Sequence, residues 1–125
     1  MKADKIDIII WGRKFDIKVV YDVYEGEEIL DNQKYALREF IEKAPKILMD
    51  DSQVKEYCKN NSNDQISGEI DNIFKYVIPT AIFVLREEKK RKIALLCDYR
   101  FDEEHGIAIV FEDEKFKTIG DQSII

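Results

Sequence analysis

The single histidine of this 125-residue chain lies in its densest acidic segment, Asp98-Tyr99-Arg100-Phe101-Asp102-Glu103-Glu104-His105-Gly106. Imidazole exchanges protons near neutral pH and is a common metal ligand. Asp98, Asp102, Glu103 and Glu104 offer carboxylate oxygens that can either join it on a cation or orient its ring. Three or four of these five groups around Mn²⁺, Zn²⁺ or Ca²⁺ make a chemically reasonable divalent-metal site. The same residues also read as a hairpin connection with charges facing water. In that reading Gly106 supplies a positive φ, and His105 bonds to a nearby carboxylate or backbone group. The spacing is neither HExxH nor that of an EF-hand loop, so both readings stand.

Other nucleophiles have poorer surroundings. Cys58 and Cys97 fall on apolar faces, where a free thiol packs as a small hydrophobe, and no CxxC pair exists for zinc. Ser52, Ser62, Ser67 and Ser123 lie in cap, loop or tail contexts without a GxSxG elbow. None of the five glycines stands in a GxGxxG or GxxxxGK phosphate loop. The basic run Lys89-Lys90-Arg91-Lys92 follows Glu87 and Glu88 and reads as a solvated hairpin tip.

The elements that carry these residues follow from hydrophobic period. Ile6, Ile8 and Ile10, then Phe15, Ile17, Val19, Tyr21 and Val23, alternate with polar residues as strands do. A two-residue Gly12-Arg13 loop of type II′ is expected to join them, with Trp11 and Phe15 near the tip. Leu37, Phe40, Ile41 and Ala44 take helical spacing behind an Asp31 cap, and Pro45 is expected to end that helix. A second helix is expected from residue 46 to 57–59, a polar surface loop over 60–65 and a short third helix over 67–76. Strands follow over 80–85, 93–99, 107–111 and 116–119. The order ββ-ααα-ββββ holds no βα repeat. It predicts an α+β fold, an antiparallel sheet of about six strands packed against two or three helices. The whole chain, 1–125, fits one domain.

Twenty Lys and Arg against 26 Asp and Glu leave a net charge of −6. That balance repels phosphate backbones and disfavours nucleic acid, and it suits a basic protein partner. No stretch approaches the ~20 apolar residues of a membrane span. The charged start lacks the apolar run of a signal peptide, so a cytosolic chain with reduced cysteines is expected.

The stretch Leu95-Leu96-Cys97-Asp98-Tyr99, with Phe101-Asp102-Glu103-Glu104-His105-Gly106-Ile107-Ala108-Ile109, then Ile119-Gly120-Asp121-Gln122 and Ile124-Ile125, resembles the carboxy-terminal signature of a bacterial family of small α+β domains of unknown function. Trp11-Gly12 and Tyr24-Glu25-Gly26-Glu27 are similar as well. The resemblance implies a bacterial, cytosolic domain; small families of this kind are proposed to be immunity proteins that neutralise toxins. Residue types and resemblance together favour a non-enzymatic protein-binding module, with Trp11 and Tyr24 as candidate contacts for a partner or a second copy. The alternative is a metal-binding protein or metal-dependent enzyme that uses residues 98–105.

Overall fold

The computed structural model describes residues 4–125. Six strands form one sheet in the order β1 (Asp4–Ile10), β2 (Arg13–Tyr21), β3 (Val77–Val84), β4 (Lys92–Tyr99), β5 (Ile107–Glu112), β6 (Lys115–Gly120). Helices α1 (Asp31–Ile47) and α2 (Ser52–Asn60) lie between β2 and β3. The core joins Ala36, Phe40 and Ala44 of α1 and Val54 and Cys58 of α2 to one side of the sheet, including Ile8, Ile17, Ile82, Leu95 and Ile109.

The sheet is mixed, not wholly antiparallel. β2 and β3 run parallel, Lys18 opposite Ala81 through Tyr21 opposite Val84, whereas every other neighbouring pair is antiparallel. The cause is the connection: two helices crossing from the end of β2 bring the chain back to start β3 in the same direction.

Three expected boundaries also move. Trp11 and Gly12, not Gly12 and Arg13, form the first turn, both at positive φ as type I′ requires. Trp11 is held there because its N–H donates to the Leu48 carbonyl (2.8 Å) and its ring tilts against Phe74. Helix α1 runs through Pro45 to Ile47 from a cap at Leu30, with Asp31 as its first residue. So near the end, proline removes only the bond to the carbonyl of Ile41, a residue at the exposed surface. The break comes at residues 48–51, where the Asp50 carboxylate accepts the N–H of Ser52 (2.9 Å) and starts α2.

The expected third helix shrinks to a 3₁₀ turn, Ile73–Lys75, entered through Gly68 at φ +79° and capped by Asn72. The sheet therefore packs against two helices. The loop after α2 is not purely superficial, since Ser62 is buried and the Tyr99 hydroxyl donates to the Asn61 carbonyl (2.8 Å).

The charged tip after β3 is likewise anchored. Asn32 Nδ2 donates to the carbonyls of Glu87 and Lys90, and Arg91 forms a bidentate pair with Glu114 (Nε to Oε2 2.6 Å, Nη2 to Oε1 3.0 Å). Glu114 is buried in the β5–β6 turn, at φ +63°, and also meets Lys43 of α1 at 3.3 Å. The hydrogen bond from Arg91 holds the Glu114 carboxyl below the usual range. A depressed carboxylate contributes stability above its unfolded pKa, about 4.3, and loses it as pH falls through the lower folded value. Glu114→Gln is expected to cost about 2 kcal/mol at neutral pH. Its urea midpoint should approach that of the wild type as pH falls below about 4.3, over the range in which the wild-type pair is progressively protonated. A constant gap between the two proteins across that range would show that the ion pair is not the cause.

Candidate functional site

Residues 100–106 connect β4 to β5, and their geometry follows from a chain of local bonds. The Arg100 N–H donates to the Tyr76 carbonyl, that of Asp102 to Tyr99, and that of Gly106 to Asp102 (2.8 Å). Gly106 takes φ +59°, the left-handed value expected of it. The Asp102 Oδ1 atom accepts the His105 backbone N–H and stands 3.1 Å from its Nδ1. The ring is open to solvent, with half of its side chain exposed.

The five acidic-segment residues do not converge. Asp102 and His105 meet, whereas Asp98 and Glu103 line a separate cleft of about 380 Å³ that also holds Lys75 and Arg100. Glu104 is exposed. Among the described residues, no group of three or more His, Cys, Asp or Glu side chains is placed to hold a metal ion. The residues that do meet, one carboxylate and one imidazole, can pass a proton or share a partner's hydrogen bond.

The hydrogen bond to Asp102, and then its charge, raise the His105 pKa above the ordinary 6.5. A raised histidine contributes its stability in full below the unfolded pKa and loses it as pH rises through the folded value. Because the chain has one histidine, a proton NMR titration reads a single imidazole. Asp102→Asn is expected to bring its midpoint down toward about 6.5. An unmoved midpoint would remove Asp102 as the cause.

The thiols are poor nucleophiles. Both are buried; burial pushes Cys58 to about 11 and Cys97 higher still.

Trp11 and Tyr24 do not share a patch. Trp11 is half-buried at the β1–β2 tip, whereas Tyr24 follows the opposite end of β2, 64% exposed with Arg86 near its ring. The nine residues of β2 separate them by roughly 30 Å.

A surface that residue-by-residue reading missed is the side of the sheet turned away from both helices. Two cross-strand rows are apolar at their centres: Val20, Phe83, Ala94, Val110 and Thr118, then Ala81, Leu96, Ala108 and Gly120. Ala81, Ala94, Ala108 and Val110 are buried outside the helix-facing core, Val20, Phe83 and Leu96 are partly exposed, and Ile124 packs over Gly120 at one end of the face. Around them stand Lys5, Lys14, Lys18, Lys92, Lys115 and Lys117 against Asp7, Asp16, Asp98 and Glu112. Six cations and four carboxylates give this face +2; the chain total is −6, so the remainder holds −8. The signal for this face was the apolar residue at both parities of β3, β4 and β5.

A mixed six-stranded sheet with two helices on one side and a largely apolar other side, fringed by charges of both signs, defines a small α+β domain. The chain belongs to the family described as a domain of unknown function, DUF6985, whose model matches residues 2–125. No curated protein and no solved structure matches it. Among the described residues, no helix is long and apolar enough to cross a membrane.

Proposed function

We propose that the chain is a non-enzymatic protein-binding module of the bacterial cytosol that receives a partner on the sheet face turned away from the helices. The observation that carries this reading is the second apolar side of the sheet. A sheet with one solvated side normally alternates apolar with polar residues, and here the alternation fails across β3, β4 and β5. Exposed apolar surface rimmed by charge marks an interaction site, and Val20, Phe83 and Leu96 are the part of this face that reaches solvent. Toxin neutralisation, the role that the resemblance implies, is one form of such binding.

Leu96→Asp and Phe83→Asp place a charge within the patch without touching the helix-facing core. Immobilised wild-type protein is expected to retain a partner at fixed stoichiometry from native lysate, and both variants to lose it while keeping the wild-type circular dichroism spectrum. Retention unaffected by either variant would overturn the reading.

The basic partner suggested by the total charge belongs to the acidic remainder of the surface, including the Glu25, Glu27 and Glu28 loop beside Tyr24. Charge reversal there, at Glu25 and Glu28, separates the two surfaces in the same assay. The metal alternative retains one pair in contact, Asp102 and His105. A metal that bound only the native state would raise the unfolding midpoint. Zn²⁺, Mn²⁺ and Ca²⁺ are expected to leave the midpoint of wild type and His105→Ala alike; a rise confined to the wild type would restore that alternative.

A further inference from the structure

We infer that the free edge of β1 is a pairing edge for a second copy of this chain: two β1 strands run antiparallel about a two-fold axis at Ile6, with Lys5 of each copy facing Asp7 of the other. The surface involved is the rim of the sheet and not its broad face, so the inference stands apart from the partner-binding reading.

β1 ends the strand order, so one side of its backbone has no neighbouring strand. A two-residue type I′ turn closes on a hydrogen-bonded pair, here Ile10 and Arg13, and along an antiparallel ladder such pairs alternate with unbonded ones. Counted back from the turn, Ile8 and Ile6 direct their N–H and C=O groups to β2, whereas Lys5, Asp7 and Ile9 turn theirs outward. Ile9 is 55% exposed, and Lys5 and Asp7 are exposed beside it, so among the described residues this edge lies open. The opposite edge, β6, presents Lys115 and Lys117, charges of one sign that blunt an edge against its own copy.

On β1 the charges are self-complementary. Lys5 stands directly opposite Lys18, and Asp7 opposite Asp16. Both are unbonded pairs by the same count, the kind in which side chains come closest, and like charges directly opposite destabilise a sheet. Asp7 meets Lys14 on the diagonal at 3.7 Å, but among the described residues Lys5, Lys18 and Asp16 make no ion pair. A row of two ammonium groups thus lies beside a row of two carboxylates, each open at the edge. Outward-facing backbone groups allow only odd-numbered residues of one copy against odd-numbered residues of the other. An axis at Lys5 or at Asp7 would set that charge on itself, and an axis at Ile8 would leave Asp7 against Ile9. The axis at Ile6 sets the lysine row of each copy end to end with the aspartate row of the other. It also brings the half-buried Ile6 side chains together on the helix-facing side of the sheet.

Lys5→Asp and Asp7→Lys supply the test. Each replaces a like-charge pair on the β1–β2 ladder by an opposite one, so the fold is expected to hold, with circular dichroism as the check. Self-association is followed by sedimentation equilibrium over a concentration series. Wild type is expected to form a dimer, and each single variant to dimerise about tenfold or more weakly, because like charges then meet twice across the axis. Mixing the two single variants should restore the dimer, and so should the Lys5→Asp, Asp7→Lys double variant, since opposite charges face each other again in both. Ile6→Cys reads the register. At the axis the two introduced thiols adjoin and mild oxidation should link the copies, whereas Ile9→Cys, more exposed but far from the axis, should stay unlinked. The native thiols are buried and take no part.

A wild type that stays monomeric throughout the series, a dimer indifferent to both charge variants, mixing that restores nothing, or linkage through Ile9→Cys in place of Ile6→Cys would each overturn the inference. A dimer abolished by Leu96→Asp but untouched by Lys5→Asp would place the contact on the sheet face and overturn it as well.

Discussion

Gly106→Ala is expected to lower stability by about 3–5 kcal/mol, roughly 15 °C in the unfolding midpoint of a chain this size. Two costs add. At φ +59° any L side chain pays about 1–2 kcal/mol for the left-handed backbone. A Cβ at this position would also stand 2.5 Å from the Cys97 carbonyl oxygen and 2.7 Å from Gln122 Nε2. The amide end of Gln122 can swing away, but it gives up its bond to that same Cys97 carbonyl (3.3 Å). The carbonyl itself belongs to β4 and cannot yield without disturbing the β4–β5 ladder, where Cys97 faces Ile107. Gly12→Ala supplies the control. Its φ is +84° and an added Cβ meets nothing within 4 Å, so only the backbone cost of about 1–2 kcal/mol remains. Urea unfolding of the two variants side by side separates strain from close approach. Equal losses would show that the approach to Cys97 does not matter.

Gly106 was legible because its role is local: a glycine that closes a polar connection before an apolar strand announces a positive φ. The His105–Asp102 contact was legible for the same reason, three residues apart in one turn. What the residues of a single segment do not encode is where another segment will lie. Trp11 adopts the left-handed turn position because Leu48, far along the chain, accepts its N–H. Pro45 remains helical because, so near the end of α1, it removes only the bond to the exposed Ile41 carbonyl. The parallel β2–β3 pair follows from the crossover that two intervening helices make, a consequence of topology that strand periodicity cannot display. The second apolar face was visible in part: a strand apolar at both parities reads as covered on two sides, and the structure places helices on one and only the C-terminal Ile124 on the other.

Besides Ser62, two buried polar side chains were missed, Glu114 and Gln33. Each looks like an ordinary surface residue in its own segment, a turn acid and a helix amide. Glu114 is buried because Arg91 and Lys43 converge on it. Its burial joins the β5–β6 turn to α1 and to the start of β4, which sets one end of the same sheet face that carries Lys92 and Lys115. Stability and surface are thus coupled at this corner: weakening the Arg91–Glu114 pair should loosen the turn that presents Lys115.

Replacing Gln33 by Leu is expected to cost about 3 kcal/mol, although the two side chains are similar in size. The Gln33 Nε2 group donates to the carbonyls of Asp22 (3.0 Å) and Val84 (3.1 Å), and its Oε1 atom accepts the N–H of Leu30 (2.9 Å). One amide thereby closes the ends of the parallel β2–β3 pair against the first turn of α1. Val84 keeps a second donor in the Asp22 N–H (2.9 Å). The Asp22 carbonyl and the Leu30 N–H lose the partner that Gln33 gave them, and an unmet buried group costs about 1–3 kcal/mol. Gln33→Glu distinguishes hydrogen bonding from packing, because an ionised carboxylate accepts and cannot donate. Facing two carbonyls, it is favoured in the protonated form, so its folded pKa rises above about 4.3. Its contribution to stability is then present below that value and is lost as pH rises through the folded pKa. The wild type moves the opposite way in acid, where Asp50, Glu112, Glu114 and Asp121 are all held below their usual values. The difference in urea midpoint between wild type and Gln33→Glu should therefore widen from about pH 4 upward, by as much as 1.36 kcal/mol, about tenfold, per pH unit until the folded pKa is passed. The gap between wild type and Gln33→Leu should stay constant over the same range. If the Glu variant instead tracks the Leu variant at every pH, the amide hydrogens are not what holds the crossover in place.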